Sequence, residues 1–134
     1  MKNLIRTTLA LLMFAGISIA APAFSESPHC TECGMMVDAA SHFSARYLQG
    51  DKFLPFCDIG DLLTYLKKKG LSSVKARVRD VKSGEWLEAG KAWYVQSEKI
   101  FKTPMGWGIA AFKDRKDAET FGTPLEFSAL LKRL

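Results

Sequence analysis

Residues 58–70 decide the fold of this 134-residue chain, and they read Asp58-Ile59-Gly60-Asp61-Leu62-Leu63-Thr64-Tyr65-Leu66-Lys67-Lys68-Lys69-Gly70. Asp58 can cap the first turn of a helix, and Asp61 adds negative charge where the helix dipole favours it. Gly70 follows three lysines and suits the left-handed residue that ends a helix. The apolar residues recur at helical spacing on one face, namely Ile59, Leu62, Leu63 and Leu66. The segment therefore predicts an amphipathic helix.

Strand patterns flank this helix on both sides. Residues 43–47 alternate between apolar and polar side chains, residues 49–51 mark a turn, and residues 52–57 form the expected return strand. Residues 74–78 alternate again and predict a third strand. The first half of the chain is thus expected to have the order β-β-α-β.

The second half repeats this order in pattern, although its sequence identity to the first half is poor. Residues 92–96 and 107–112 are interpreted as two strands joined by a loop. Asp114 is again a candidate helix cap, and Asp117 lies three positions later.

The C-terminal segment allows two interpretations. Pro124 could begin a helix, or residues 125–127 could form a short edge strand before a helix capped by Ser128. We favour the strand because it gives β-β-α-β twice. The chain is therefore expected to be a small antiparallel α+β domain built from two ββαβ-like halves, at about residues 33–82 and 86–134.

The first 23 residues have the pattern of an export signal. Lys2 and Arg6 precede an apolar run, and Ala21-Pro22-Ala23 fits a small-x-small cleavage site. The apolar run is shorter than the roughly 20 residues that a spanning helix needs, so no stable membrane span is expected. We expect residues 24–134 to form one domain that is periplasmic or otherwise exported.

The charge balance gives no reason to expect a nucleic-acid partner. The chain has 19 Lys and Arg against 14 Asp and Glu, and loss of Lys2 and Arg6 lowers its formal charge from +5 to +3. No aromatic residues interleave with the lysines at 67–69, so these lysines are interpreted as a solvated helix end. The sequence also lacks paired carboxylates, a Ser/His/Asp set and a Gly-rich phosphate loop, and we do not expect an enzyme.

A sulfur-rich segment lies near the start of the expected mature chain, and it reads His29-Cys30-Thr31-Glu32-Cys33-Gly34-Met35-Met36. Soft thiolate and thioether ligands select Cu(I) over harder ions. Cys30, Cys33, Met35, His29 and Met105 are therefore candidate copper ligands for a site of low coordination number. Met105 lies in an irregular loop rich in Pro and Gly.

Other interpretations of these residues stay open. A Cys-x-x-Cys pair is also typical of thiol oxidoreductases, and Cys30 with Cys33 could act in thiol–disulfide exchange. Structural zinc usually takes four N or S ligands, and the chain has three Cys and two His. Met35 and Met105 could each fill a gap in the core, and Cys57 could be a small buried hydrophobe.

The motifs, taken in order, resemble those of the NosL family. The matching stretches are Cys33-Gly34-Met35, Phe56-Cys57-Asp58-Ile59-Gly60-Asp61, Trp86, Ala92-Trp93-Tyr94-Val95, Pro104-Met105-Gly106 and Ala111-Phe112. The resemblance implies a duplicated ββαβ fold that binds one Cu(I), with Cys33 and Met35 as ligands and Met105 as a further candidate. It also implies copper delivery during maturation of nitrous-oxide reductase, so the expected partner is an apo cuproenzyme or another copper-assembly protein.

The chain departs from the family pattern in two places. Many family members are lipoproteins, whereas this sequence has no convincing lipobox cysteine. Cys30 adds a second thiol to a pattern that needs only Cys33 before Gly34 and Met35. The additional thiol could tighten Cu(I) binding, or it could form a disulfide with Cys33 and block it.

Overall fold

A computed structural model describes residues 29–134, and the expected export signal lies outside the described residues. The first helix, α1, spans Ile59–Lys69 and has the ends that the sequence predicts. The Asp58 side chain accepts a hydrogen bond from the Gly60 N–H at 3.1 Å, and Gly70 takes a left-handed conformation with φ of 63°. The apolar face of α1 is fully buried, as Ile59, Leu62, Leu63 and Leu66 show.

A four-stranded antiparallel sheet packs against the buried face of α1. Its strands are β1 (Ala45–Gln49), β2 (Lys52–Phe56), β3 (Ala76–Arg79) and β4 (Trp86–Glu88), in the order β2-β1-β3-β4. Side chains alternate across such a sheet. The face toward α1 is therefore apolar, and its buried residues include Ala45, Tyr47, Phe56, Ala76 and Val78.

The second half forms a smaller sheet, and its elements follow the same order along the chain as those of the first half. β5 (Trp93–Gln96) pairs antiparallel with β6 (Ile109–Phe112), and β6 leads into α2 (Arg115–Glu119). Leu125 then forms an antiparallel bridge to Tyr94 of β5. β5 thus lies between β6 and Leu125, as β1 lies between β2 and β3. The prediction of a small antiparallel α+β domain is confirmed.

Asp80 joins the two halves. It forms a parallel bridge to Ala111, and the Val81 N–H donates to the Ala111 carbonyl at 2.8 Å. The Asp80 carboxylate is buried and accepts hydrogen bonds from the Lys113 N–H at 3.1 Å and from the Ser83 N–H and hydroxyl. These contacts hold the end of β3 against the end of β6.

The expected strands differ from the observed ones at several places, including β1, which spans Ala45–Gln49 where residues 43–47 were expected. β3 begins at Ala76 because residues 73–75 form a 3-10 turn, which leaves Val74 74% exposed. β6 begins at Ile109 because Gly106 and Gly108 take positive φ values and extend the preceding loop. β4 pairs with β3 in the first sheet, although the expected boundary placed Trp86 in the second half.

The C-terminal segment corrects one prediction. Leu125 makes a single bridge, so an edge strand over residues 125–127 is wrong. The last helix, α3, spans Phe127–Leu131 with Glu126 at its N-cap, and Ser128 lies inside it. Among residues 29–134, no helix has both the length and the apolar character that crossing a bilayer requires.

Candidate metal centre

The sulfur-rich segment folds into a tight turn at the start of the described chain. The Cys30 N–H donates to the Met35 carbonyl at 2.7 Å, and the Gly34 N–H donates to the Cys30 carbonyl at 2.9 Å. Gly34 has φ of 78°, a conformation that other residues rarely adopt. The turn places the sulfur atoms of Cys30 and Cys33 within 4.8 Å of each other.

Two contacts fasten this turn to the rest of the domain. The Thr31 N–H donates to the Pro55 carbonyl of β2 at 2.8 Å. The Glu32 carboxylate pairs with Lys68 near the end of α1. The turn therefore lies against the edge of the first sheet and against α1, with Cys30 buried.

The start of α1 supplies two further ligand atoms. Cys57 follows β2 directly, and Asp61 lies in the first turn of α1, four residues later. Residues separated by four positions near a helix start can face the same side. Both side chains are buried, and the Cys57 thiol donates to the Asp61 carboxylate at 3.6 Å.

Cys30, Cys33, Cys57 and Asp61 form what we call the cysteine cluster. Their ligand atoms, three sulfurs and one carboxylate oxygen, all lie within 4.8 Å of one another. The sulfurs of Cys33 and Cys57 are 3.4 Å apart, and the Cys30 thiol donates to Asp61 Oδ2 at 3.4 Å. All three cysteines are free thiols.

Burial controls the protonation of the Cys33 and Cys57 thiols. It raises the pKa of the Cys57 thiol far above its usual range, and the adjacent Cys33 thiol raises it further. Burial also raises the pKa of Cys33, although a hydrogen bond from the Met35 backbone opposes this rise. Both thiols are therefore protonated at neutral pH, and a metal ion must displace their protons in order to bind.

A loop from the second half contacts Asp61 and the start of α1. The Trp107 indole N–H donates to Asp61 Oδ1 at 3.2 Å, and the Met105 N–H donates to the Asp58 carboxylate at 3.0 Å. Trp107 lies directly on Gly60, where an added Cβ would come within 2.0 Å of the ring. Gly60 therefore allows the loop to reach the helix start and fix the Asp61 carboxylate.

The structure brings together only some of the residues expected at the site. Cys30 and Cys33 belong to the cysteine cluster. His29 is exposed and outside the cluster, and its backbone bridges to Met36. The side chains of Met35 and Met105 are 48% and 42% exposed, so neither is sealed in the core. The assignment of these two thioethers as ligands stays a prediction.

Two members of the cluster were not expected as ligands. The sequence did not decide whether Cys57 is a small buried hydrophobe or has another role. Asp61 was interpreted only as a negative charge in the first turn of the helix. The available signal was the spacing of Cys57 and Asp61 at a predicted helix start. That spacing gives no information about the turn at residues 30–33, which lies more than 20 positions away in sequence.

The chemistry of the donor set suits a soft or borderline cation. Three thiolates favour Cu(I) or Zn(II) over hard ions such as Mg²⁺ and Ca²⁺. Cys33 is the only partly exposed member of the cluster, whereas the other three are at most 4% exposed. An ion bound here would therefore be accessible from one side, through Cys33.

The comparisons with known proteins agree with the motifs and the fold. A crystal structure of the copper chaperone NosL from Shewanella denitrificans is similar, with a TM-score of 0.62 and 23% identity over 81% of this chain and 93% of that one. A comparison with curated proteins gives no match. The NosL family profile matches residues 21–125, most of the chain. This chain belongs to the NosL family.

Proposed function

We propose that this protein is an exported Cu(I) chaperone and not an enzyme. It would hold one Cu(I) and pass it to an apo cuproenzyme or another copper-assembly protein, with nitrous-oxide reductase as the candidate client. The observation that carries this proposal is the cysteine cluster, in which the partly exposed Cys33 lies beside two buried thiols. Membership of the NosL family and the fold shared with a copper chaperone support it.

The exposed thioethers fit a role in transfer. Met35 follows Cys33 by two residues, and the loop that carries Met105 is hydrogen-bonded to the start of α1. Thioethers bind Cu(I) well and do not need deprotonation. We infer that Cys33 and Met35 form the core of the site, and that Cys30, Met105 or His29 completes it. Cys57 is a further candidate. A partner's donors would then replace these ligands one at a time.

Competition for Cu(I) tests this proposal. The reduced mature protein, residues 24–134, is expected to withdraw one equivalent of Cu(I) from a chromophoric chelator, and Cys33→Ser is expected to abolish the withdrawal. Met35→Leu is expected to weaken binding by about tenfold or more. Met36→Leu is the matched control, because Met36 is a neighbouring exposed thioether that we do not assign to the site. Failure of the parent protein to withdraw one equivalent would contradict the proposal.

The alternative function is thiol–disulfide exchange through Cys30 and Cys33, and the proximity of the free thiols favours it. A reactive thiol usually has a lowered pKa. Burial instead raises the pKa of Cys33, which makes this alternative the weaker one. It predicts that Cys30→Ser abolishes disulfide reductase activity while Met35→Ala leaves it unchanged, and an insulin-reduction assay distinguishes the two outcomes.

Asp61 gives a specific reason to test zinc as well. Its carboxylate would supply a fourth donor beside three thiols, and four donors suit a structural zinc site. A structural zinc would contribute to folding, so a strong Zn(II) chelator would then unfold the purified protein. The Cu(I) chaperone is expected to keep its circular dichroism spectrum and melting temperature in the presence of the chelator.

A further inference from the structure

The face of the four-stranded sheet opposite α1 carries a row of stacked arginine and aromatic side chains. The guanidinium carbon of Arg46 lies 4.0 Å from the ring centroids of both Phe53 and Trp86. The guanidinium carbon of Arg79 lies 4.5 Å from the Trp86 ring. Each of the four strands contributes one of these residues, and we call the four of them the arginine–aromatic ladder.

Alternation along the strands explains why the ladder faces away from the core. Ala45 and Tyr47 of β1 are buried, and Tyr47 contacts Tyr65 of α1 with ring centroids 6.3 Å apart. Arg46 lies between them and must point to the other face. Arg79 follows buried Val78 in β3 in the same way. The ladder is therefore a property of the outer face of the sheet.

Arg79 has a hydrogen-bond donor that the described chain does not use. Its Nε atom is buried and has no hydrogen-bond partner among residues 29–134. Within the same range, no carboxylate forms an ion pair with Arg79. Buried N–H groups are nearly always hydrogen-bonded, because leaving one without an acceptor is costly. The geometry therefore suits an oxygen acceptor from outside these residues.

A small pocket of about 60 Å³ lies beside the two guanidinium groups. It is suited in size to one carboxylate head group and too small for a peptide segment. The lining combines polar and apolar side chains, and it includes Ser44, Arg46, Pro55, Arg79 and Trp86. Asp38, which lies between two other lining residues, is the nearest carboxylate in sequence. It instead accepts a hydrogen bond from the Ala40 N–H at 2.9 Å.

We propose that the arginine–aromatic ladder is a docking site for an aspartate or glutamate side chain of an acidic protein partner. A guanidinium offers parallel N–H donors that match the two oxygens of a carboxylate. Stacking on Trp86 fixes the plane of the Arg79 guanidinium before a ligand arrives. Arg and Trp are also the residues that most often dominate protein interfaces.

Charge complementarity decides the class of partner. Removal of the expected export signal leaves a basic protein, and a basic surface steers acidic partners toward it. Proteins usually bind anionic membranes through clusters of exposed, flexible cationic side chains. Arg46 and Arg79 are only partly exposed and are held against aromatic rings, which favours recognition of single carboxylates.

Titration with an acidic peptide tests this inference independently of copper. The probe is N-acetylated hexaglutamate amide, added to the ¹⁵N-labelled mature protein and followed by NMR. The Nε–H signal of Arg79 and the indole N–H signal of Trp86 are expected to shift, and the affinity is expected to fall as salt is added. Arg79→Gln is expected to lower the affinity by about tenfold or more.

Arg115→Gln is the matched control. Arg115 also stacks on a tryptophan, since its guanidinium carbon lies 5.1 Å from the Trp93 ring, but it already pairs with Glu119 at 3.0 Å. This variant removes the same charge and is expected to change the affinity by less than about twofold. Arg79→Lys keeps the charge without the planar donor pair, so it is expected to lose most of the affinity even if Arg79→Gln fails to fold.

Four results would overturn the inference. The first is an equal loss of affinity in Arg79→Gln and Arg115→Gln, which would mean that net charge alone attracts the peptide. The second is an Arg79 signal that does not move at millimolar peptide. The third is binding to phosphatidylglycerol vesicles without binding to the peptide. The fourth is a higher peptide affinity in Glu26→Gln, because Glu26, an acidic residue that precedes the described range, would then be the occupant.

Discussion

Two helix starts in this protein have the same sequence pattern and different surroundings. The first reads Phe56-Cys57-Asp58-Ile59-Gly60-Asp61, and the second reads Phe112-Lys113-Asp114-Arg115-Lys116-Asp117. Each follows the second strand of its half and begins a helix. Cys57, Asp58 and Asp61 are buried, whereas Lys113 and Asp114 are exposed and Asp117 pairs with Lys82.

The difference shows that a shared local pattern does not make a shared site. The first helix start is covered by the turn at residues 30–35 and by the loop at residues 103–108, and the cover brings two more thiols and an indole N–H. At the second start, the Asp114 side chain makes no capping hydrogen bond. Lys113 occupies the position of Cys57, so the second start also lacks a sulfur donor.

The largest expected effect comes from exchanging the residue that follows each second strand. Cys57→Ser removes a thiol from the cysteine cluster and is expected to weaken Cu(I) binding by about a hundredfold or more. Lys113→Ser at the equivalent position is expected to change it by less than about twofold. Competition with a chromophoric Cu(I) chelator measures both. Unchanged affinity in Cys57→Ser would exclude Cys57 from the site and leave Cys33 to bind with the thioethers.

Removing the two helix-cap aspartates should show the next largest difference. Asp58→Ala deletes a buried carboxylate that accepts from Gly60 and from Met105, and we expect it to cost about 2–3 kcal/mol of stability. Asp114→Ala removes an exposed carboxylate without a capping bond and should cost less than about 0.5 kcal/mol. Urea unfolding followed by circular dichroism gives both values. Similar costs would show that burial does not distinguish the two starts.

Placing alanine three positions after Cys57 and three positions after Lys113 sharpens the comparison. Gly60→Ala would place a Cβ within 2.0 Å of Trp107, so the ring must move away from Asp61 at a cost of about 1–3 kcal/mol. Lys116→Ala changes an exposed position and should be nearly neutral. Trp107 fluorescence is expected to shift in Gly60→Ala. A neutral effect there would mean that the loop does not need its close approach to α1.

The smallest expected effect concerns Asp80, which connects the two halves. Burial would raise its pKa, but hydrogen bonds from Ser83 and from the Lys113 backbone outweigh burial and hold the pKa below the usual 3.8. A lowered folded-state pKa stabilises the protein above that value, and the contribution disappears as the pH falls through it. Asp80→Asn is expected to cost about 1 kcal/mol at neutral pH.

The pH dependence of Asp80→Asn provides its own control. Because the variant has no carboxylate at this position, its stability should fall less steeply than that of the parent between about pH 5 and pH 3. Urea midpoints measured across this range test the expectation. Parallel curves for the two proteins would show that Asp80 does not contribute its charge to the junction.

Several elements of the fold were predictable from the sequence because their signals are local. Asp58, Gly70 and the apolar spacing between them give α1 with both ends correct. The hairpin of β1 and β2 was predicted from alternation around a turn at Gly50. The start of β3 was missed because Val74 has a strand-forming side chain in a 3-10 turn, where its exposure is not a local property.

The site was predictable only in part. Cys30 and Cys33 share one turn, so their proximity follows from sequence spacing. Cys57 and Asp61 lie 24 and 28 positions after Cys33. The local sequence does not indicate which of the two helix starts, the one at Cys57 and Asp61 or the one at Lys113 and Asp117, lies beside that turn. Only the pairing of Thr31 with Pro55 and the packing of the turn against α1 bring them together.

The sequence by itself determined the elements of this protein and the supply of soft donors near residue 30, because helix capping, strand alternation and residue chemistry act over a few positions. The tertiary structure decided which metal-ligand donors meet, which thiols are buried and where a guanidinium N–H has no acceptor among the described residues. Those outcomes depend on contacts between distant segments, since burial and proximity arise only when the sheet, α1 and the two covering loops pack together.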